Sequence, residues 1–405
     1  MKMMKRINLK RQVYLLGLIC SSVFFFSCSS DDIANGGGGP VTGKQLSLTI
    51  SMTPISRASN LDVGEDDANE NQVNRLTVGI FSNNGDTVRT IQEFVAGGTN
   101  SLTVSSDKKT VTATVAASSL TEGDKVLVAV NAPANEFAGV KSVTEFSGKT
   151  IDVNQALATP SSGTTSSEEA TDNLPMYGEG SVSETDSKYS SSVSVLHQLA
   201  KITVKEVNVN FDSSDPIYRF ATFTPKVFFL INVPEDLAFS KTAWTGTQND
   251  LYQGWANDAS LTSKPYLAYL NSGSIDKLTG SPNGNQIIYT YNKFFYIMPN
   301  SDIKNNTQLV IEGLYDRDGI SGNTYQPETV YYPVNINYNY NGTTVSPSEP
   351  GTSMKAVYPN RNYVCTIEIK TKGSPDPYTP IEPDAANVQV GVNGFQSVDH
   401  STVFK

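Results

Sequence analysis

The chain has 405 residues, of which 17% are charged, with a formal net charge of −10, 19 Tyr, 17 Phe, three Cys and two His. An acidic balance disfavours nucleic acid and anionic membrane as direct partners. Three cysteines make no disulfide framework, so stability has to come from sheet pairing and apolar cores.

Lys2, Lys5, Arg6, Lys10 and Arg11 form a basic start, and Val13 to Phe26 a short apolar core, which together read as a secretory signal. The core is too short for a comfortable transmembrane helix. It ends in Ser27-Cys28, a small residue before cysteine, as in a bacterial lipobox, where Cys28 would be acylated and become the mature N-terminus. Ser29 to Asp32 and Gly36 to Gly39 follow as a polar, flexible tether. Residues 1–27 are therefore assigned to the signal peptide, and 28–57 to the tether and a first strand. That strand is announced by Leu46, Leu48, Ile50 and Met52 alternating with Gln45, Ser47, Thr49 and Ser51, the period of a half-buried strand. Arg57-Ala58 comes next, then the acidic stretch from Leu61 to Asp67. A trypsin-like cut after Arg57 would remove a strand the fold uses, and a sheet short of one strand can accept it from another molecule.

Leu76 to Phe81 followed by Asn83-Asn84-Gly85-Asp86 is a hairpin signal. Val111 to Val115 and Lys125 to Asn131 follow the same grammar, while Ala158 to Asn173 lacks periodicity and reads as a loop. Tyr189 to Val209 is a long β-rich run containing Leu196 to Val204, and a domain boundary is placed at its start. Thr222 to Val233, Ile287 to Met298, Thr307 to Leu314, Val330 to Tyr340 and Arg361 to Lys370 read as further strands. Short helices are expected at Val153 to Ala158 and within Ser240 to Trp255. Roughly 350 residues beyond the export segment suffice for two domains of ordinary size. The expectation is an all-β chain with two sandwiches in tandem, 58–188 and 189–374.

Residues 375–405 form the tail. Pro375, Pro377, Pro380 and Pro383 make its first part extended and semi-rigid. Val388, Val390 and Val392 then alternate with polar or small residues, Gly394 shifts the phase, and Phe395 follows. Such a strand either pairs within its own domain or serves as a donor arm for the next molecule.

Catalytic patterns are weak. Asp316-Arg317-Asp318-Gly319 resembles the start of a calcium loop but lacks the remaining ligands, and reads as a turn. His197 lies in an apolar strand, Cys365 in another, and Glu168-Glu169 in a loop. No cofactor or metal is implied, and an enzyme is disfavoured. A glycan-binding surface lipoprotein or tip adhesin is the serious rival, since Trp244, Trp255, Tyr252 and Tyr338 could stack on sugar rings.

Several of these segments together resemble the FimA-type fimbrilins, the major fimbrial (type V pilus) subunits of Bacteroidales. They are the lipobox, Arg57-Ala58 with Asp66-Asp67 behind it, Val73 to Phe81, Leu196 to Val204, Phe294 to Asn300, Tyr331 to Val334, Asn360 to Tyr363, and Ala386 to Phe395. The resemblance implies two tandem transthyretin-like β-sandwich domains with a C-terminal extension. It implies export to the cell surface as an outer-membrane lipoprotein precursor, transiently lipid-anchored, and cleavage after Arg57 by an arginine-specific protease. The cut would remove the strand of Leu46, Leu48, Ile50 and Met52. The C-terminal strand of a neighbouring copy, with Val388, Val390, Val392 and Phe395, would fill the slot. Implied partners are other copies of the chain and accessory fimbrial subunits; a host glycan or protein ligand is open. Such tails commonly carry tryptophan where Phe395 and Phe404 stand here, which alters the anchor but not the mechanism.

Overall fold

Where small polar and apolar residues alternate along this chain, the computed structural model forms strands. It describes residues 43–52, 70–98, 100, 102–106, 109–152, 173–239, 250–257, 265–273, 275, 280–283, 286–319, 325–381 and 386–394. In chain order the first set of elements is β1 (Lys44–Met52), β2 (Arg75–Phe81), β3 (Val88–Val95), β4 (Thr103–Val104), β5 (Thr110–Ala117), β6 (Lys125–Val130), α1 (Val143–Ser147), β7 (Thr150–Asp152), β8 (Met176–Ser181), β9 (Ser183–Thr185) and β10 (Lys188–His197). The second is β11 (Ala200–Val209), β12 (Thr222–Ile231), β13 (Val233–Pro234), β14 (Asp236–Ala238), β15 (Leu251–Tyr252), β16 (Ser281–Asn283), β17 (Gln286–Ile297), β18 (Gln308–Asp316), β19 (Glu328–Asn335), β20 (Asn339–Tyr340), β21 (Val345–Ser346), β22 (Arg361–Ile369) and β23 (Ala386–Gly394). The fold class is all-β.

The first set makes one nine-stranded sheet in the order β3-β2-β6-β8-β10-β1-β5-β4, with β9 on β10. It folds back on itself at β10, whose Leu196 and His197 pair with β8 while Leu46 to Met52 of β1 run beside Tyr189 to Val195. The backbones come so close at this corner that a Cβ on Gly178 would stand 2.3 Å from the Ser194 carbonyl oxygen, so only glycine fits. The two inner faces enclose a core that includes Leu46, Leu48, Ile50, Leu76, Val78, Val111, Val128 and Val193.

The second set packs a five-stranded sheet, β16-β17-β11-β22-β23, against a three-stranded one, β12-β18-β19. Ile202, Val204, Phe228, Leu230, Leu309, Ile311, Tyr332 and Cys365 fill the space between. β11 starts this half; β10 lies with the first sheet, so strand pairing changes partner at Gln198-Leu199 inside the long β-rich run.

The halves share a third core. Phe81, Phe137, Phe146 and Tyr177 meet Leu199, Phe239, Tyr296 and Met298, with Phe137 stacked on Phe146 at 4.0 Å and edge-on to Phe239 at 5.3 Å. β7 pairs with β14 across the same junction. The described residues, from 43 to 394, belong to one compact unit.

Most of Ser240–Trp255, where a short helix is expected, lies outside the described residues; its end is extended, with Leu251–Tyr252 paired to Val233–Pro234 and the Gln253 side chain accepting from the Asn232 amide. One local expectation is corrected. The strand expected over Val330–Tyr340 stops at Asn335. Asn337 takes φ 51°, and its side chain serves the Ser348, Glu349, Ser353 and Ala356 backbones instead. The Val153–Ala158 helix and most of the Ala158–Asn173 loop lie outside the described residues.

Candidate strand-acceptor groove

β1 is an interior strand, though it is the first strand of the described chain. It runs parallel to β10 and antiparallel to β5, with registered partners on both sides along nearly its whole length. Leu46 faces Tyr189 and Val115, Leu48 faces Ser191 and Ala113, and Ile50 faces Val193 and Val111. Leu46, Leu48, Ile50 and Met52 are all at most 2% exposed. Taking β1 away would therefore open a slot with four apolar subsites at every second residue and two bare backbone edges, one on β5 and one on β10.

The near end of the slot is marked by Lys44. Its ammonium donates to the Leu120 carbonyl at 3.0 Å and to the Tyr189 hydroxyl, and lies 4.5 Å from the centroid of that ring. The sequence offered no reason to single out Lys44, because both of its partners are remote in the chain.

Beyond β1 the next described residues are tied down at once. Glu70 is buried at the junction between the halves, where it accepts from the Lys201 ammonium at 2.7 Å and from the Tyr296 hydroxyl. Asn71 lies 3.2 Å from His197 Nε2. Asn131, in the left-handed conformation at φ 57°, donates to the Gln72 and Leu174 carbonyls and accepts from the Asn74 amide. His197 is a structural residue here: burial first, and the Lys201 charge second, lower its pKa to about 4, so it is neutral at pH 7.

The tail strand is elsewhere. β23 is the edge strand of the five-stranded sheet, antiparallel to β22, with Val388 opposite Ile367, Val390 opposite Cys365 and Val392 opposite Tyr363. The structure thus does not bring Val388, Val390 and Val392 to Leu46, Leu48, Ile50 and Met52 within one chain. Cys28, Arg57, Ala58 and Phe395 lie outside the described residues.

Residues weighed for other chemistry have structural surroundings. Asp316 Oδ1 accepts from the Asp318 and Gly319 amides at 3.2 Å, closing a turn with Gly319 at φ 62°. Cys365 is buried, and desolvation pushes its thiol up to about 12. Trp255 is held edge-on by Tyr331 and Tyr378, each at 5.7 Å, and the Tyr252 hydroxyl donates to Asp152. Trp244 is outside the described residues.

The family model of the major fimbrial subunit protein (FimA) matches residues 45–198, from the second residue of β1 to just past the end of β10. The match covers less than half of the chain, and over it the sequence is similar to that family. Among solved structures, a fimbrilin (FimA) from Porphyromonas gingivalis W83 superposes with a TM-score of 0.60 at 18% identity, covering 89% of this chain and all of its own. A proposed cell adhesion protein from Bacteroides eggerthii matches with a TM-score of 0.55 at 20% identity and the same coverage. Another from Parabacteroides distasonis gives 0.55 at 18%, over 87% of this chain and 99% of that one. At these identities the structures share the fold. No curated protein matches the sequence.

Proposed function

We propose that this chain is a fimbrial shaft subunit, exported as a lipoprotein through Cys28, activated by cleavage after Arg57, and polymerised by donor-strand complementation. The observation that carries this reading is the position of β1: its four apolar side chains buried, its backbone paired on both sides, and its C-terminal end joined to the rest of its sheet only through residues 53–69. Arg57 lies in that connection. A single cut there would leave β1 held by non-covalent contacts alone.

Those contacts are considerable. Four buried apolar side chains contribute about 6–12 kcal/mol before the cost of ordering the strand, so the uncut strand guards the slot. A replacement carrying Val388, Val390 and Val392 offers smaller side chains than Leu, Ile and Met, at about 0.8 kcal/mol for each CH₂ lost. Exchange would thus depend on severing β1 and on Phe395 as a further anchor. Once in place, a non-closing head-to-tail contact generates a filament, and its persistence would rest on slow dissociation. We place the domain division at Gln198-Leu199, which keeps β10 as one wall of the slot. A tip subunit would not use the tail strand in this way, and the engaged ring of Trp255 gives no support to a sugar platform.

The test is limited digestion of the pro-protein with a trypsin-like protease, followed by unheated electrophoresis and N-terminal sequencing. A new N-terminus at Ala58 and a ladder of oligomers that vanishes when residues after Ile381 are deleted are expected. Cleavage that yields only monomers, or ladders unaffected by that deletion, would refute the reading.

A further inference from the structure

The tail does not leave its domain where the last core strand ends. After Ile369 the chain crosses back over the three-stranded sheet. Gly373 packs so close that a Cβ there would meet the Tyr331 carbonyl oxygen at 2.6 Å, and Ser374 exchanges both backbone hydrogen bonds with Tyr331, at 2.9 and 2.8 Å. Asp376 then closes a tight turn. One of its oxygens accepts from the Tyr378 and Thr379 amides at 2.9 Å, and the other from the Thr379 hydroxyl at 2.6 Å. The turn presents the Tyr378 ring to an apolar cluster on the outer face of the sheet. Phe229, Ile231, Val310 and Tyr331 form this cluster, with Trp255 beside it, and the Trp255 ring sits between those of Tyr331 and Tyr378. Pro377 is buried and Ile381 packs against the main core of this half.

We infer that Tyr378, seated against Trp255 and Tyr331 by the Asp376 turn, is the anchor that fixes where the C-terminal arm departs and so sets the length of chain available to a neighbouring subunit. The inference rests on the donor-strand reading for its consequence, though not for the anchor itself. With the anchor in place, the leash runs from Ile381 to Ala386, five residues, with a reach of about 17 Å at 3.3–3.6 Å per residue. Ile381 adds one partly buried side chain but no backbone pairing, so once the turn and ring are lost the nearest residue held by the sheet's backbone is Ser374, twelve residues from Ala386, and with Ile381 released the reach grows to about 40 Å. Effective concentration falls roughly as the −3/2 power of leash length, which gives about a fourfold loss for the longer leash. A short leash also demands that the acceptor slot of the next subunit abut this face, and so defines the spacing along a filament.

The experiment compares wild type, Tyr378→Ala, Tyr378→Phe and Asp376→Ala as full-length pro-proteins. Hydrogen exchange of the 374–381 segment is measured in the monomer, and oligomer growth is measured after limiting protease. The expected result is slow exchange at Thr379 in wild type and Tyr378→Phe, and faster exchange in the other two. Their oligomers should form about fourfold more slowly and show a less regular axial spacing by electron microscopy. Asp376→Ala removes the turn while leaving every ring intact, so agreement between it and Tyr378→Ala separates loss of the anchor from general damage. Unchanged exchange in both variants would overturn the anchor. Wild-type oligomers that survive deletion of residues after Ile381 would instead refute the donor-strand reading, while monomer exchange would still decide the anchor.

Discussion

Leu48→Ala probes the centre of the proposed slot. Leu48 is 0% exposed, and the residues opposite it on both flanking strands, Ala113 and Ser191, are too small to swing into the space it would leave. A leucine truncated to alanine where the surroundings cannot collapse costs about 3–5 kcal/mol within the usual 2–5 range. Ser47, one residue earlier, points away from the core and is exposed, so Ser47→Ala should fall within about 0.5 kcal/mol of wild type. Urea unfolding of the uncut protein measures both. After protease nicking, the same loss should appear in the release of a labelled β1 segment, since a deficit of about 3 kcal/mol corresponds to a factor on the order of 10². Equal urea midpoints for Leu48→Ala and Ser47→Ala would refute the placement of β1 in the core.

Three further outcomes are expected. His197 gives a pH signature. The unfolded chain takes up a proton at this residue below about pH 6.5, whereas the folded chain does so only near pH 4. The unfolded state then binds more protons, so stability falls as pH drops through this window, by up to about 3 kcal/mol, and levels off below it. His197→Gln should flatten that part of the stability curve relative to wild type, and an unchanged slope would contradict the assignment. Lys201→Met should destabilise by about 3–5 kcal/mol because it strands the Glu70 carboxylate in the interior, and Glu70→Gln added to it should recover much of the loss; additive losses in a double-mutant cycle would exclude coupling. Gly178→Ala should cost at least about 1–3 kcal/mol through its clash with the Ser194 carbonyl, read as a lowered melting temperature, and a neutral result would mean that the corner of the first sheet is looser than described.

Much of the secondary structure was legible because a two-residue period survives any tertiary context in which one sheet face is buried. Leu46 to Met52 reads as a strand on this ground, while Leu76 to Phe81 and Lys125 to Val130, buried on both faces, and Arg361 to Ile369 were legible as short apolar, β-branched runs between turn residues. The period says which face is inside, but not which strand lies alongside. Hence the reading of Tyr189 to Val209 as one run missed its change of partner at Gln198-Leu199, and no local pattern marked β3 or the two-strand pairing of β7 with β14. The anchor at Tyr378 was likewise hidden. Its proline-rich surroundings announce an extended spacer, while its partners Trp255 and Tyr331 are fixed by a sheet built far upstream.

By itself the sequence determined the β character of the chain and the four apolar residues that β1 buries, since each depends on composition or on spacing along a few residues. Only the tertiary structure decided that β1 lies between β5 and β10, that Glu70 meets Lys201 across 131 positions, and that the tail strand rests on β22 in the same chain. These are non-local pairings. Their free energy comes from burying surfaces against one another, and no stretch of sequence carries that information until the sheets have closed.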